Sequence, residues 1–145
     1  MVAQTDPLAG QAAVTLAELA EQELILLDLP LSRDYFMGLF AREGLTPRIA
    51  ARLQQFDVLR TMVANRFGYS IANARPRNSV AMDGRDVVAV RIAGAPQGMT
   101  MGLLRVARQR PTRLVTTFVD YCRDLISDSY VPGMVAPSDA PRRRG

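Results

Sequence analysis

The sequence contains no histidine, no lysine and no tryptophan, and its single cysteine is Cys122. Each absence removes a class of chemistry. Without histidine, the Ser-His and Cys-His pairs of nucleophilic hydrolysis cannot be built. The same absence, with one thiol, rules out a Cys/His metal cluster. Cys122 has no partner in the chain for a disulfide, and a reducing compartment is the natural expectation. The carboxylates Asp28, Asp34, Asp57, Asp83 and Asp86 are scattered and form no obvious acid–base pair. Gly94, Gly98 and Gly102 recur every four residues, a spacing that matches no phosphate-cradling loop. Neither an enzyme nor a cofactor or metal is therefore expected.

What is present is ordinary globular material. The chain has 145 residues, 48% hydrophobic and 22% charged, enough for a real core and too apolar for wholesale disorder. Its formal charge of +4 suggests nucleic acid until the charges are located. Arg142, Arg143 and Arg144 sit at the end, and the rest of the chain carries only +1. Elsewhere arginine alternates with acid, as in Arg33-Asp34, Arg42-Glu43 and Arg85-Asp86, which is a mixed surface and not a basic stripe. The first twenty residues lack a basic start and include Asp6 and Glu18, unlike a signal peptide. The longest uncharged run, Ile92 to Leu104, is broken by Pro96 and three glycines and is too short to span a bilayer. A cytoplasmic chain with no membrane partner is expected.

Hydrophobic periodicity orders the elements. Leu16 to Ala20 makes one short helical turn with Thr15 as N-cap. Leu24 to Leu27 is a continuous apolar run, a buried strand. Ser32 offers an N-cap for a helix that carries Tyr35, Phe36, Leu39 and Phe40 on one face and stops at Gly44. Pro47 to Leu53 reads as a second strand, residues 56–66 as a helix ended by Gly68, and Tyr69 to Ala72 as a third strand. A turn at Asp83-Gly84 precedes a strand at Val87 to Ile92, then a breaker-rich link and a further strand at Met99 to Ala107. Pro111-Thr112 opens an amphipathic helix whose apolar positions are Leu114, Val115, Phe118, Val119, Cys122, Leu125 and Ile126. Residues 128–145 read as a disordered, Arg-rich tail. The strand–helix–strand–helix–strand order predicts an α/β fold with a largely parallel sheet.

One constellation stands out. Leu29-Pro30-Leu31-Ser32-Arg33 lies where the first strand meets its helix, and Leu53-Gln54-Gln55 occupies the same place one unit later. Free backbone N–H groups at two adjacent helix N-termini, with the Ser32 hydroxyl and the Arg33 guanidinium, can hold a carboxylate or another polar ligand. The plainer alternative is that Ser32 only caps its helix and Arg33 pairs with Asp34 or Glu43.

The same stretches carry a family resemblance. Residues 24–40 (LILLDLPLSRDYFMGLF), 41–49 (AREGLTPRI) and 56–73 (FDVLRTMVANRFGYSIAN) resemble the effector-binding domain of LysR-type transcriptional regulators. Asp83-Gly84-Arg85-Asp86-Val87-Val88 and the last helix continue the likeness, which covers nearly all of residues 7–126. It implies a fold like the type II periplasmic binding proteins: two α/β lobes with a hinge and a small effector between them. On that basis residues 1–15 are an inter-lobe connecting segment, and 16–95 a largely complete second lobe of βαβαβ order plus a further strand. Residues 96–127 are the strand and amphipathic helix that return to the first lobe. The family's helix-turn-helix has no counterpart in this sequence. Effector contacts carried over by position are Pro30, Leu31, Ser32, Arg33, Gln54 and Gln55. Gln55 stands where the family often has a small hydroxyl residue. Arg66 stands where it usually has glycine; a large side chain there costs backbone freedom if the position needs φ > 0, and the departure reads either as relaxed selection or as a helix extended by one residue.

The function implied is a small-molecule effector-binding and dimerisation portion of such a bacterial regulator, without its DNA reader. The expected effector is polar or anionic, and no direct nucleic-acid contact is expected from this chain. Two other readings stay open: a truncated gene product with no autonomous activity, and an interaction protein. The partner in the last case is a second copy or an intact regulator, paired through residues 32–44 and 47–53.

Overall fold

The run Leu24–Leu27 is buried on both faces because it is the strand on which the other elements pack. In the computed structural model, which describes residues 1–73, 77–94, 103–106 and 109–125, it forms β3 (Glu23–Leu27). Leu24 and Leu26 face a cluster with Leu16, Leu19, Phe36, Leu39, Phe40 and Tyr69. Ile25, pointing the other way, meets Leu59, Val63, Ala81 and Val87. A strand sandwiched in this way needs no polar alternation. Its neighbour β4 (Arg48–Leu53) alternates between exposed and half-buried residues, as one exposed face requires.

The chain divides into two compact units, residues 1–73 with 78–99 and residues 74–77 with 100–145. In the first, β1 (Val2–Ala3) and β2 (Ala13–Val14) flank a 3-10 turn at Pro7–Gly10. They are followed by α1 (Leu16–Ala20), β3, α2 (Pro30–Arg42), β4 and α3 (Phe56–Ala64), and then by β5 (Val87–Val88) and β6 (Arg91–Ile92). β3 and β4 run parallel, β2 and β6 run parallel, and β1 and β5 run antiparallel. Tyr69 bridges Leu24 in parallel, and Ser70 exchanges hydrogen bonds with Met1. Hydrogen bonds thus run from β4 through β3 and residues 69–70 to β1 and β5. In the second unit the described elements are α4 (Arg113–Leu125) and the non-strand residues 103–106.

Local signals and structure agree where one residue decides them. Thr15 caps α1 in a full capping box: its Oγ1 accepts from Glu18 N–H at 3.1 Å, and its own N–H donates to Glu18 Oε2 at 2.7 Å. That backbone bond holds the Glu18 carboxyl below its usual range. Gly44 ends α2 with φ of 69°. Gly44 N–H donates to Ala41 and Leu45 N–H to Phe40, which makes a Schellman motif.

Five expectations are corrected. Ser32 is not the N-cap of α2; Leu29 is, and Pro30 takes the first helical position. Proline's fixed φ and missing N–H suit that place, so the helix starts earlier than the hydroxyl signal suggested. α3 stops at Ala64 and not at residue 66. Its end is a second Schellman motif, with Arg66 N–H to Val63 and Phe67 N–H to Met62, and Arg66 at φ of 64°. Arginine in this conformation costs about 1 kcal/mol relative to glycine. The third strand at 69–72 is a single bridge, because beyond Tyr69 the chain turns to Met1. The strand at 87–92 is split between two partners, β1 and β2. Of the strand expected at 99–107, residues 103–106 are not strand and the rest lies outside the described residues, as do Ile126 and the tail 128–145.

Nothing in the sequence pattern marks Arg60, yet it is only 7% exposed on α3. Its guanidinium donates to the carbonyls of Asn78 at 2.6 Å and Val80 at 3.1 Å, tying the returning segment to the helix. Asp57 lies 3.8 Å from the same group. Arg60→Met keeps the apolar stem and removes both donors. Urea denaturation is expected to show a loss of about 2 kcal/mol; an unchanged midpoint would mean that the two carbonyls need no partner.

Candidate functional site

Parallel pairing of β3 and β4 brings two helix N-termini together. The register sets Leu27 beside Leu53, and Asp28 N–H donates to the Leu53 carbonyl at 2.7 Å. Both chains then enter helices at the same end of the sheet, α2 through Leu29-Pro30 and α3 through Gln54-Gln55. Neither start is closed by its own side chain: Leu29 cannot cap, and Gln55, at φ −94° and ψ 115°, makes no side-chain cap bond. Among the described residues, the N–H groups of Leu31 and Ser32 on α2, and of Phe56, Asp57 and Val58 on α3, meet no acceptor. The first bonds of the two helices come only at Arg33 N–H to Leu29 and Leu59 N–H to Gln55. Five donors and two positive dipole ends on one edge make a surface that favours an oxyanion.

The six residues expected from sequence all sit on this edge. Pro30 and Leu31 are exposed, Ser32 and Arg33 are half-buried, and Gln54 and Gln55 are exposed. The Ser32 hydroxyl makes no cap bond, so a ligand would not have to displace one. Arg33 is not idle. Its Nε donates to Asp34 Oδ1 at 3.1 Å and its guanidinium to Asp28 Oδ1 at 3.3 Å. Asp34 first, and then Asp28, raise the pKa of the Arg33 guanidinium above its ordinary value. The pairing with Asp34 that sequence left open is therefore present, and that with Glu43 is not among the ion pairs of the described residues.

Two residues of this edge were missed. Asp28 lies at the end of β3, and Arg52 NH1 stands 3.9 Å from its Oδ2, so one carboxylate is shared by two arginines. A charged residue ending an apolar strand run is visible in the sequence, but its sharing with Arg52, paired with Leu26 two residues earlier, follows only from the β3–β4 register. Leu31, 79% exposed, with Leu29 and Val58 adds an apolar rim. Among the described residues there is no group of three or more acidic, Cys or His side chains that would hold a metal.

The family model of the LysR substrate binding domain matches residues 1–127. The chain belongs to the LysR substrate-binding domain family. Its fold is accordingly of the type II periplasmic-binding-protein kind, and the domain is the effector-binding domain of LysR-type transcriptional regulators. HinK, a LysR family regulator from Pseudomonas aeruginosa, is 38% identical with a TM-score of 0.75 over 85% of this chain and 42% of its own. A second LysR family structure from Pseudomonas aeruginosa, the PA01 protein, is 38% identical with a TM-score of 0.78 over 87% of this chain and 44% of its own. The effector-binding domain of QuiR, solved with shikimate, shares the fold at 21% identity and a TM-score of 0.61, over 83% of this chain and 56% of its own. The chain thus spans less than half the length of these two LysR family regulators. A comparison with curated proteins finds no match. No helix among the described residues is long and apolar enough to cross a membrane.

Proposed function

We propose that this LysR-type domain binds a small anionic effector at the joint N-termini of α2 and α3, and that it regulates transcription by binding and not by catalysis. The observation that supports the reading is the row of five unaccepted N–H groups beside Arg33 and Arg52. Pro30, Leu31, Ser32, Arg33, Gln54 and Gln55 are the contacts, with residues 16–95 as one lobe, 96–127 with α4 as the segment returning to the other, and 1–15 joining them. Arg33 and Arg52 then exchange part of their hold on Asp28 for the ligand, which makes a carboxylate the best-suited head group. Leu29, Leu31 and Val58 suit a body with some apolar surface. Such a ligand switches the protein only through unequal affinity for two arrangements of the regulator.

The test is a titration of the 15N-labelled chain with small organic acids, shikimate first, since it is a carboxylate. Amide shifts are expected at Leu31, Ser32, Phe56, Asp57 and Val58, and they should weaken in Arg33→Gln. Binding that leaves these five amides unmoved would refute the placement.

A second reading is supported by α4. Leu114 is 80% and Phe118 55% exposed, with Val115 and Tyr121 on the same helical stripe. The chain then pairs with an intact LysR-type regulator or with a second copy. Analytical ultracentrifugation is expected to show association that Phe118→Glu abolishes; a monomer with or without the substitution would end this reading.

A further inference from the structure

The far end of α3 carries a second, different surface. An open cleft of about 410 Å³ lies between the C-terminus of α3, the Asp83–Asp86 turn and the exit of β1. Arg66, Arg85, Asn65, Asp86, Gln4 and Thr5 line it. It is set off from the helix N-termini by the nine residues of α3, a rise of about 13 Å. Its volume falls in the range of small-molecule sites.

The charges in the cleft are not spent on one another. Asp83 is held by Asn65 Nδ2 at 2.6 Å and by the backbone N–H of Arg85 at 3.3 Å. Asn65 bonding holds that carboxyl below its usual range, so it stays charged without drawing on Arg66. Asp86 accepts from Ser79 Oγ at 2.7 Å. Arg85 reaches Asp83 only at 3.9 Å, and Arg66 meets no carboxylate among the described residues. Two arginines therefore line one cleft, together with Thr5, Gln4 and Asn65.

Arg66 is also the one non-glycine residue with positive φ among those described. The equivalent position in the motif that ends α2 is Gly44. The negative end of the α3 dipole favours a cation nearby, but it can do so from any position in the last turn. It does not account for arginine at the position where a side chain is most costly. Strain at a residue that lines a cleft points to use of its side chain.

We propose that Arg66 and Arg85 form the anion-binding wall of a second ligand site, which takes a small hydroxylated organic anion. The anion is a carboxylate or a phosphate ester, bound by the two guanidinium groups. Its hydroxyls donate to Asp86, Gln4 and Asn65. Fork-like donors in a pair suit either oxyanion.

Gluconate and glucose 6-phosphate are the probes, followed by NMR on the Arg66 and Arg85 Nε–H and the Asn65 and Gly84 amides. Sodium chloride at matched ionic strength is the control. Saturable shifts with gluconate alone assign a carboxylate, and with glucose 6-phosphate alone a phosphate ester. Arg66→Gly is expected to fold, to melt about 3 °C higher because the strain is gone, and to bind at least tenfold more weakly. Arg85→Gln should weaken binding to a similar degree. The proposal is overturned if neither probe binds, if chloride reproduces the shifts, or if Arg66→Gly melts higher with affinity within twofold of the parent. Shifts at Leu31 and Phe56 in place of these four groups would assign the probes to the other site and overturn it as well.

Discussion

Replacing Gly68 by alanine is expected to cost about 3 kcal/mol or more, a large share of the stability of a domain of this size. Gly68 has φ of 152°. A Cβ there would overlap the carbonyl oxygen of Glu23 and come within 3.1 Å of its carbon and 3.3 Å of the Glu23 Cβ. The obstacle is backbone, so no side chain can swing aside. Nor can the segment retreat, since Tyr69 N–H donates to Glu23 at 2.9 Å and Ile25 N–H to Tyr69 at 2.8 Å. Those two bonds seat residues 69–70 between β3 and Met1 and so hold the sheet together. Gly38, inside α2 with nothing within 4 Å of an added Cβ, is the internal control. Gly38→Ala should stabilise by about 0.5–1 kcal/mol through the helix preference for alanine. Equal urea midpoints for the two variants would show that the Glu23 contact is not constraining.

From below pH 6 to above pH 8 the stability of the 145-residue chain should rise by about 2–3 kcal/mol. The Met1 amino group is buried and donates to the Ser70 carbonyl at 2.6 Å. Burial lowers its pKa from 8.0 to about 6. The folded chain therefore releases this proton at a lower pH than the unfolded chain does. Across the window the unfolded state holds more protons, so stability increases with pH. Well above pH 8 the group is neutral in both states and the penalty is gone; below about pH 6 the full penalty is felt. The size follows from about 1.36 kcal/mol per pH unit over that gap. With no histidine in the chain, the residue type that usually titrates here is missing, and the slope can be assigned. Urea denaturation at pH 5.5, 7 and 8.5 gives the curve, and a chain acetylated at Met1 should lose the slope. A slope that survives acetylation would place the titration elsewhere.

The helical ends show how far local pattern reaches. Thr15 and Gly44 each act through groups three or four residues away, and their roles were legible. Ser32 was misread because two local signals competed, and the ring of Pro30 fixed the start of α2. For Arg66 the sequence left open whether the helix runs on, and the answer depended on how closely Gly68 approaches Glu23 of β3. At the helix N-termini, Pro30 to Arg33 and Gln54-Gln55 could be placed by counting from each strand. The shared Asp28 could not be foreseen, because Arg33 and Arg52 come together on it only when β3 and β4 are in register.

The sequence by itself determined the α/β order, the family, the exclusion of histidine chemistry and the two strand-to-helix turns. All of these depend on residue type and on spacings shorter than one element. Tertiary structure decided what depends on partners far along the chain. It set β1 against β5 across more than eighty residues, split the strand at 87–92, and buried Arg60 and the Met1 amino group. It also opened a cleft beside Arg66. The physical reason is that backbone pairing and desolvation are set by which surfaces meet, and periodicity along one segment carries no record of its distant neighbour.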